Sequence, residues 1–190
     1  MLHQLDYNYK DVIYSEGKMT VAEMKSIIAG LETEIAQSDE KHQDMIYEWL
    51  NVWTKYLKWE VSFNPMALVT YRRGDIVFVN FGYNIGSEYG GMHYAVVIEK
   101  DNPRSSGNVV VVPLTSIDSA DIATIHDSEI VLGNGVIPCT TQISVAKVLS
   151  VRSISKIRIY KPRKANDQVY KLNAAQLDLI DQKIAAYLTK

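Results

Sequence analysis

Near Pro65 the chain changes its hydrophobic rhythm, and this change constrains the fold more than any other sequence feature. Upstream, apolar residues recur at helical spacing. Downstream they fall in short runs separated by turn residues. A proline removes a backbone donor and its ring clashes with the preceding turn, so the helical pattern ends at Phe63-Asn64-Pro65. Thr20-Val21-Ala22-Glu23 fits a capping box that opens a first helix. Met24, Ile27, Ile28, Leu31 and Ile35 form its apolar stripe. Ser38 is placed to cap a second helix, with Asp39 and Glu40 suiting its positive end. Met45, Ile46, Trp49, Leu50, Trp53 and Leu57 form the second stripe. Two amphipathic helices joined by a few polar residues predict an antiparallel hairpin.

Past the proline, strands are predicted at Asp75–Phe81, Tyr94–Glu99, Asn108–Leu114, Glu129–Leu132, Gln142–Val151 and Ser155–Tyr160. Turn-rich stretches at 82–91, 101–107 and 133–138 separate them. This spacing predicts a small antiparallel barrel or a strongly bent sheet. Asn173 then caps a closing helix whose apolar face is Leu177, Ile180, Ile184 and Leu188. The class is α+β, with a helical extension over residues 1–68 and a β domain over 69–190.

Charge is divided along the same boundary. Residues 1–68 carry six lysines, no arginine and eleven carboxylates, net −5, whereas 69–190 are net +3. The acidic arm therefore complements the basic domain, which suggests that it covers a basic groove or offers a surface to a partner. Six cations between Arg152 and Lys164, at Arg152, Lys156, Arg158, Lys161, Arg163 and Lys164, come with no acid among them. Such a run suits phosphate neutralisation, or equally a strand edge charged against aggregation.

Several chemistries fail on inventory. One cysteine, Cys139, excludes a disulfide framework, and beside Pro138 it reads as a small buried residue rather than a nucleophile. His3, His42, His93 and His126 lack metal-ligand spacing. There is no phosphate loop, no Gly-x-Ser-x-Gly elbow and no apolar run long enough to span a bilayer. Met1–Asp6 lacks the basic and apolar segments of a signal peptide, which predicts a cytoplasmic protein.

The order of the central motifs is more specific. Arg73-Gly74-Asp75 opens a strand, Gly86-Ser87-Glu88-Tyr89-Gly90-Gly91 follows in a loop, and His93-Tyr94 begins the next strand. Pro113-Leu114-Thr115-Ser116 closes the third strand. This series resembles the MazF/PemK family of toxin endoribonucleases, in which RGD, GSE-x-x-G, R-P and P-[IL]-T-[ST] follow at similar spacing. The resemblance covers roughly residues 70–188 and leaves the helical extension outside it. It implies an SH3-like barrel with a C-terminal helix, a homodimer, and an antitoxin protein that blocks the RNA groove. It also implies cleavage of single-stranded RNA without metal or cofactor. The 2′-OH attacks the adjacent phosphate and leaves a 2′,3′-cyclic phosphate and a 5′-OH.

The resemblance assigns residues as well. Thr115, with Ser116 beside it, falls on the hydroxyl that bonds a phosphate oxygen. His93 stands where the family has its arginine. Histidine lacks arginine's permanent charge and fork, but it titrates near neutrality and suits acid or base duty in this reaction. The change either keeps catalysis with altered pH dependence or leaves a degenerate module that only binds RNA or protein. Arg73 is expected as electrostatic support, or else in a structural pair with Asp75 or Glu88. The loop residues Gly86, Ser87, Glu88, Gly90 and Gly91 are expected to shape the RNA groove, and the run of cations, not the resemblance, puts Arg152, Lys156 and Arg158 forward for RNA contact. Glu88 is expected either to orient His93 or Arg73 or to stand as a solvated loop carboxylate.

Overall fold

A computed structural model of the chain describes residues 20–137 and 141–189. The readings for Met1–Asp6, His3, Pro138 and Cys139 lie outside these residues. The chain divides into two compact units, one ending at Tyr47 and the other beginning at Glu48. The boundary falls inside the second helix.

The first helix, α1 (Val21–Gln37), starts with the predicted capping box: Thr20 accepts from the Glu23 N–H, and Glu23 reaches back to the Thr20 N–H. The second, α2 (Glu40–Glu60), is capped by Asp39 rather than Ser38. The Asp39 carboxylate accepts from the His42 N–H at 3.1 Å, while the Ser38 N–H closes α1 by donating to the Ile35 carbonyl. A carboxylate at the positive end of a helix also gains from the dipole. The stripe on α1 stays exposed at Met24, Ile27, Ile28 and Leu31, and of its residues only Ile35 is buried. The packing predicted for that stripe is not seen.

The second unit is built on an antiparallel sheet of eight strands: β1 (Asp75–Asn80), β2 (Met92–Val97), β3 (Asn108–Ile117), β4 (Glu129–Asn134), β5 (Ile143–Lys147), β6 (Arg152–Ser155), β7 (Ile159–Lys161) and β8 (Tyr170–Lys171). Their order is β4-β5-β3-β2-β1-β7, with β6 also on β3 and β8 also on β1. Of the barrel or strongly bent sheet expected, the strands form one antiparallel sheet in which no ladder joins β4 to β7. A single-turn helix at Lys156–Arg158 divides the predicted strand 155–160, so β6 runs along β3 and β7 along β1. The chain thereby crosses from one outer edge of β3-β2-β1 to the other.

Two apolar clusters fill the bend. Val77, Val79, Phe81, Ala95, Val109 and Val111 pack with Tyr71 in one, and Ile76, Val96, Val112, Leu114 and Ala146 pack under Ile180 in the other. The alternation follows the pleat, successive residues of each strand going to opposite faces. Helix α3 (Ala174–Ile184) supplies Ile180 and has its own capping box between Asn173 and Gln176. The latter half of α2 packs within this unit through Trp49, Val52 and Tyr56, whereas Trp53 and Leu57 of the predicted stripe remain exposed. The tip of the Trp49 ring lies so close to Gly82 that a Cβ there would sit 2.8 Å from it.

Candidate active site

The β1–β2 hairpin places the predicted catalytic histidine. Its base is fixed by the Gly91 N–H donating to the Gly82 carbonyl (2.7 Å) and the Phe81 N–H donating to the Gly91 carbonyl (2.8 Å). Gly90 is required here, because a Cβ would lie 2.6 Å from the Gly82 carbonyl oxygen. Gly82 and Gly91 hold positive φ values of +85° and +82°, a region that disfavours side chains. Asn84 reaches across the loop and donates to the Tyr89 carbonyl at 2.8 Å. A loop rich in glycine is thus closed by backbone bonds and one amide.

His93 lies one residue inside β2, opposite Val79, and is half-buried. Its ring packs on Tyr89 with centroids 4.6 Å apart. Burial lowers its pKa below the ordinary histidine value, and a hydrogen bond to the Gly90 backbone opposes this only partly. The imidazole is therefore neutral at pH 7, in the form that accepts a proton.

Tyr89 joins the histidine to the predicted threonine. Its hydroxyl donates to the Leu114 carbonyl at 3.1 Å and is also hydrogen-bonded to the Thr115 side chain. Burial pushes the phenol up to about 12, with the nearby Glu129 carboxylate adding to the effect and Thr115 opposing it. Arg152 completes the group. Its guanidinium donates to the Tyr89 carbonyl at 3.0 Å and lies 5.8 Å from the Phe81 ring centre. One residue, Tyr89, therefore touches His93 by its ring, Thr115 by its hydroxyl and Arg152 by its backbone. A neutral base, a hydroxyl and a cation are gathered on one patch.

Sequence reasoning missed both Tyr89 and Asn84. The available signal was an aromatic ring among small loop residues, and an asparagine able to satisfy loop backbone.

Other predicted residues go elsewhere. Arg73 sits at the opposite end of β1, about 20 Å from the His93 level at roughly 3.3 Å per residue. There its guanidinium donates to the Ile98 carbonyl and pairs with Asp181 of α3. Asp75 pairs with Lys171 at 3.0 Å, and Gly74 has φ +89°. The Arg-Gly-Asp motif thus ties β1 to the C-terminal elements, and Arg73 does not join the patch. Ser116, next to Thr115 on β3, points to the other face of the sheet.

Lys156 is buried, 1% exposed, and donates to the Pro103 carbonyl at 3.0 Å while lying over the Tyr71 ring. Burial lowers its pKa, and Glu99 opposes the shift. It is not available to a backbone phosphate. Arg158 donates to the Phe81 carbonyl at 3.0 Å and lies 5.2 Å from the Trp49 ring centre. Gly86, Ser87 and Glu88 form the exposed tip of the loop. Glu88 orients neither residue predicted for it: Tyr89 and Gly90 hold His93, and Asp181 holds Arg73. Among the described residues no group of three or more His, Cys, Asp or Glu gathers in metal-binding geometry.

Residues 72–188 match the family model described as the PemK-like, MazF-like toxin of type II toxin–antitoxin systems. No curated protein matches the chain. Solved structures that match include Deinococcus radiodurans MazF (form I), at 21% identity and a TM-score of 0.46, covering 64% of this chain and 99% of that one. A MazE–MazF structure (form II) from the same organism matches at 20% and 0.42, covering 63% and 96%. An endoribonuclease with its cognate antitoxin from mycobacterial species matches at 14% and 0.40, covering 60% and 89%. The family model spans more than half of the chain, and the chain belongs to this family of PemK-like, MazF-like toxins.

Proposed function

We propose that this member of the PemK-like, MazF-like toxins cleaves single-stranded RNA without a metal, using His93 as the base. The observation that carries the reading is the attachment of His93, Thr115 and Arg152 to the single residue Tyr89. The reaction has its nucleophile and its electrophile on one strand, so it needs proton transfer and charge stabilisation rather than an activated external water. The neutral His93 takes the proton of the 2′-OH. The 2′-oxygen bonds the adjacent phosphorus, the bond from phosphorus to the 5′-oxygen breaks, and that oxygen takes up a proton from water. The products are a 2′,3′-cyclic phosphate and a 5′-OH.

Thr115 donates to a non-bridging phosphate oxygen, and Arg152 supplies the permanent positive charge that histidine cannot. Arg152 thus replaces from β6 the cation missing at position 93. The Gly82–Gly91 hairpin forms one wall of the RNA path. Consistent with the family description, the protein acts as the toxin of a toxin–antitoxin pair, with an antitoxin protein as its partner and a second copy completing the groove. A cytoplasmic location accords with its RNA substrate. No helix among the described residues is long and apolar enough to cross a membrane.

The test is cleavage of a long unstructured RNA in EDTA by the full chain and by His93→Ala, with the fragment ends mapped. Cyclic phosphate ends from the parent and none from the variant are expected. RNA binding without cleavage by the parent would leave a degenerate binding module instead.

A further inference from the structure

The latter half of α2 lies outside the region matched by the family, yet it builds a cavity against β7 and the β1–β2 end. The cavity measures about 520 Å³. Three rings line it, Tyr56, Trp59 and Tyr160, together with three cations, Lys55, Arg158 and Arg163. No carboxylate is among the lining residues. Arg158 and Arg163 are already held in place: Arg158 by the Phe81 carbonyl and the Trp49 ring, Arg163 by the Ile159 carbonyl at 2.7 Å. Trp59 and Tyr160 remain 52% and 62% exposed, although Trp59 also meets the Tyr56 ring and Tyr160 the Phe78 ring.

Rings that accept a flat π-system beside fixed positive charge match a nucleotide: the base stacks and its phosphate meets the cations. We propose that this cavity binds one nucleotide of the RNA strand flanking the cleaved bond. The inference rests on the ribonuclease reading above. Its location supports it, because Met92 lines the cavity and its chain neighbour is His93. Their side chains go to opposite faces of β2. A strand leaving the reacting phosphate at His93 turns over the end of β2 and meets Asn80 and Met92 at the cavity mouth. Arg152 and Arg158 flank Phe81 on this path, one lying over its ring and the other donating to its carbonyl. Helix α2 thereby extends the family's site by one subsite. Stacking is tolerant of base identity, so this subsite adds affinity more than sequence choice.

The test measures binding of two 2′-O-methyl RNAs, a trimer and a nonamer of mixed sequence, to the full chain by fluorescence anisotropy. Methylation removes the nucleophile and prevents cleavage. Trp59→Ala and Tyr160→Ala are each expected to weaken nonamer binding by about 5- to 100-fold, the usual worth of one stacked base. Trimer binding should not change, and Trp59→Phe and Tyr160→Phe should retain nonamer affinity. If the parent binds the nonamer and both alanine variants bind it equally well, the cavity is not an RNA subsite, while the ribonuclease reading stands. Equal losses for trimer and nonamer would also overturn the inference, by revealing a structural defect. A parent chain that binds neither RNA and cleaves none removes both readings.

Discussion

The two ends of the β1–β2 pair carry similar inventories and use them differently. At the end where β1 begins, two cations meet carboxylates: Arg73 pairs with Asp181 and Lys171 with Asp75. At the other end, Arg152 and Arg158 meet only carbonyls and rings, with no carboxylate within ion-pair distance among the described residues. The first arrangement neutralises its own charge and closes the structure around β8 and α3. The second holds guanidinium groups in fixed positions and leaves their charge unspent. Charge positioned without a protein counter-charge is what an anionic substrate requires. The contrast separates architecture from chemistry more clearly than motif content does, since the sequence leaves Arg73 open between electrostatic support and a structural pair, and the fold pairs it with Asp181.

The largest expected effect falls on the uncompensated end. His93→Ala should lower cleavage by about 10²- to 10⁴-fold, the usual contribution of a positioned acid or base, with melting temperature little changed. Arg152→Ala should lower it by about 10²- to 10³-fold, as loss of a charge-stabilising donor does. Equal activity in Arg152→Ala and the parent, in single-turnover assays, would erase the proposed difference between the ends.

The neutralised end should respond in stability and not in rate. Arg73→Ala removes both the half-exposed pair with Asp181, which screening limits to about 1 kcal/mol or less, and the donor to the Ile98 carbonyl, worth about 1.5–3 kcal/mol. Chemical denaturation would measure this, and kcat should be unchanged. A large loss of kcat in Arg73→Ala would return that residue to the site.

A smaller effect distinguishes the buried cation from its neighbours. Lys156→Met should leave RNA affinity and its salt dependence unchanged, because the ammonium is inside the protein. Arg158→Met should reduce the slope of log affinity against log salt by about one phosphate contact, roughly 0.7 for a single strand.

Much of this organisation is legible in the sequence. The capping box at Thr20, the cap at Asn173 and the strands starting at Asp75 and Asn108 depend on local patterns and form where expected, whereas α2 ends at Glu60, five residues before the proline expected to stop it. The motif order points to the fold and to Thr115. What the sequence hides is pairing across distance. Nothing local reveals that Arg73 meets a carboxylate 108 residues later, or that Lys156 is buried while Arg152 remains beside the loop. A run of six cations looks uniform because side-chain direction changes where the single-turn helix at Lys156–Arg158 interrupts the strand. The face of α2 is hidden for the same reason: Trp49, Val52 and Tyr56 are turned inward by the sheet they pack on, and Trp53 and Leu57 outward.

The central claim is that the uncompensated end works through a neutral histidine, and the pH dependence of single-turnover RNA cleavage tests it most directly. Burial depresses the His93 pKa, so the base is free at neutral pH and is lost only as pH falls through a value below the ordinary 6.5. The same shift means that the unfolded chain binds the proton more readily, so the His93 contribution to stability also declines as pH drops below 6.5. The account predicts a cleavage rate that is level near pH 7 and falls on the acid side with a midpoint under 6.5. A rate that stays flat through the acid range, or rises as the histidine protonates, would contradict it.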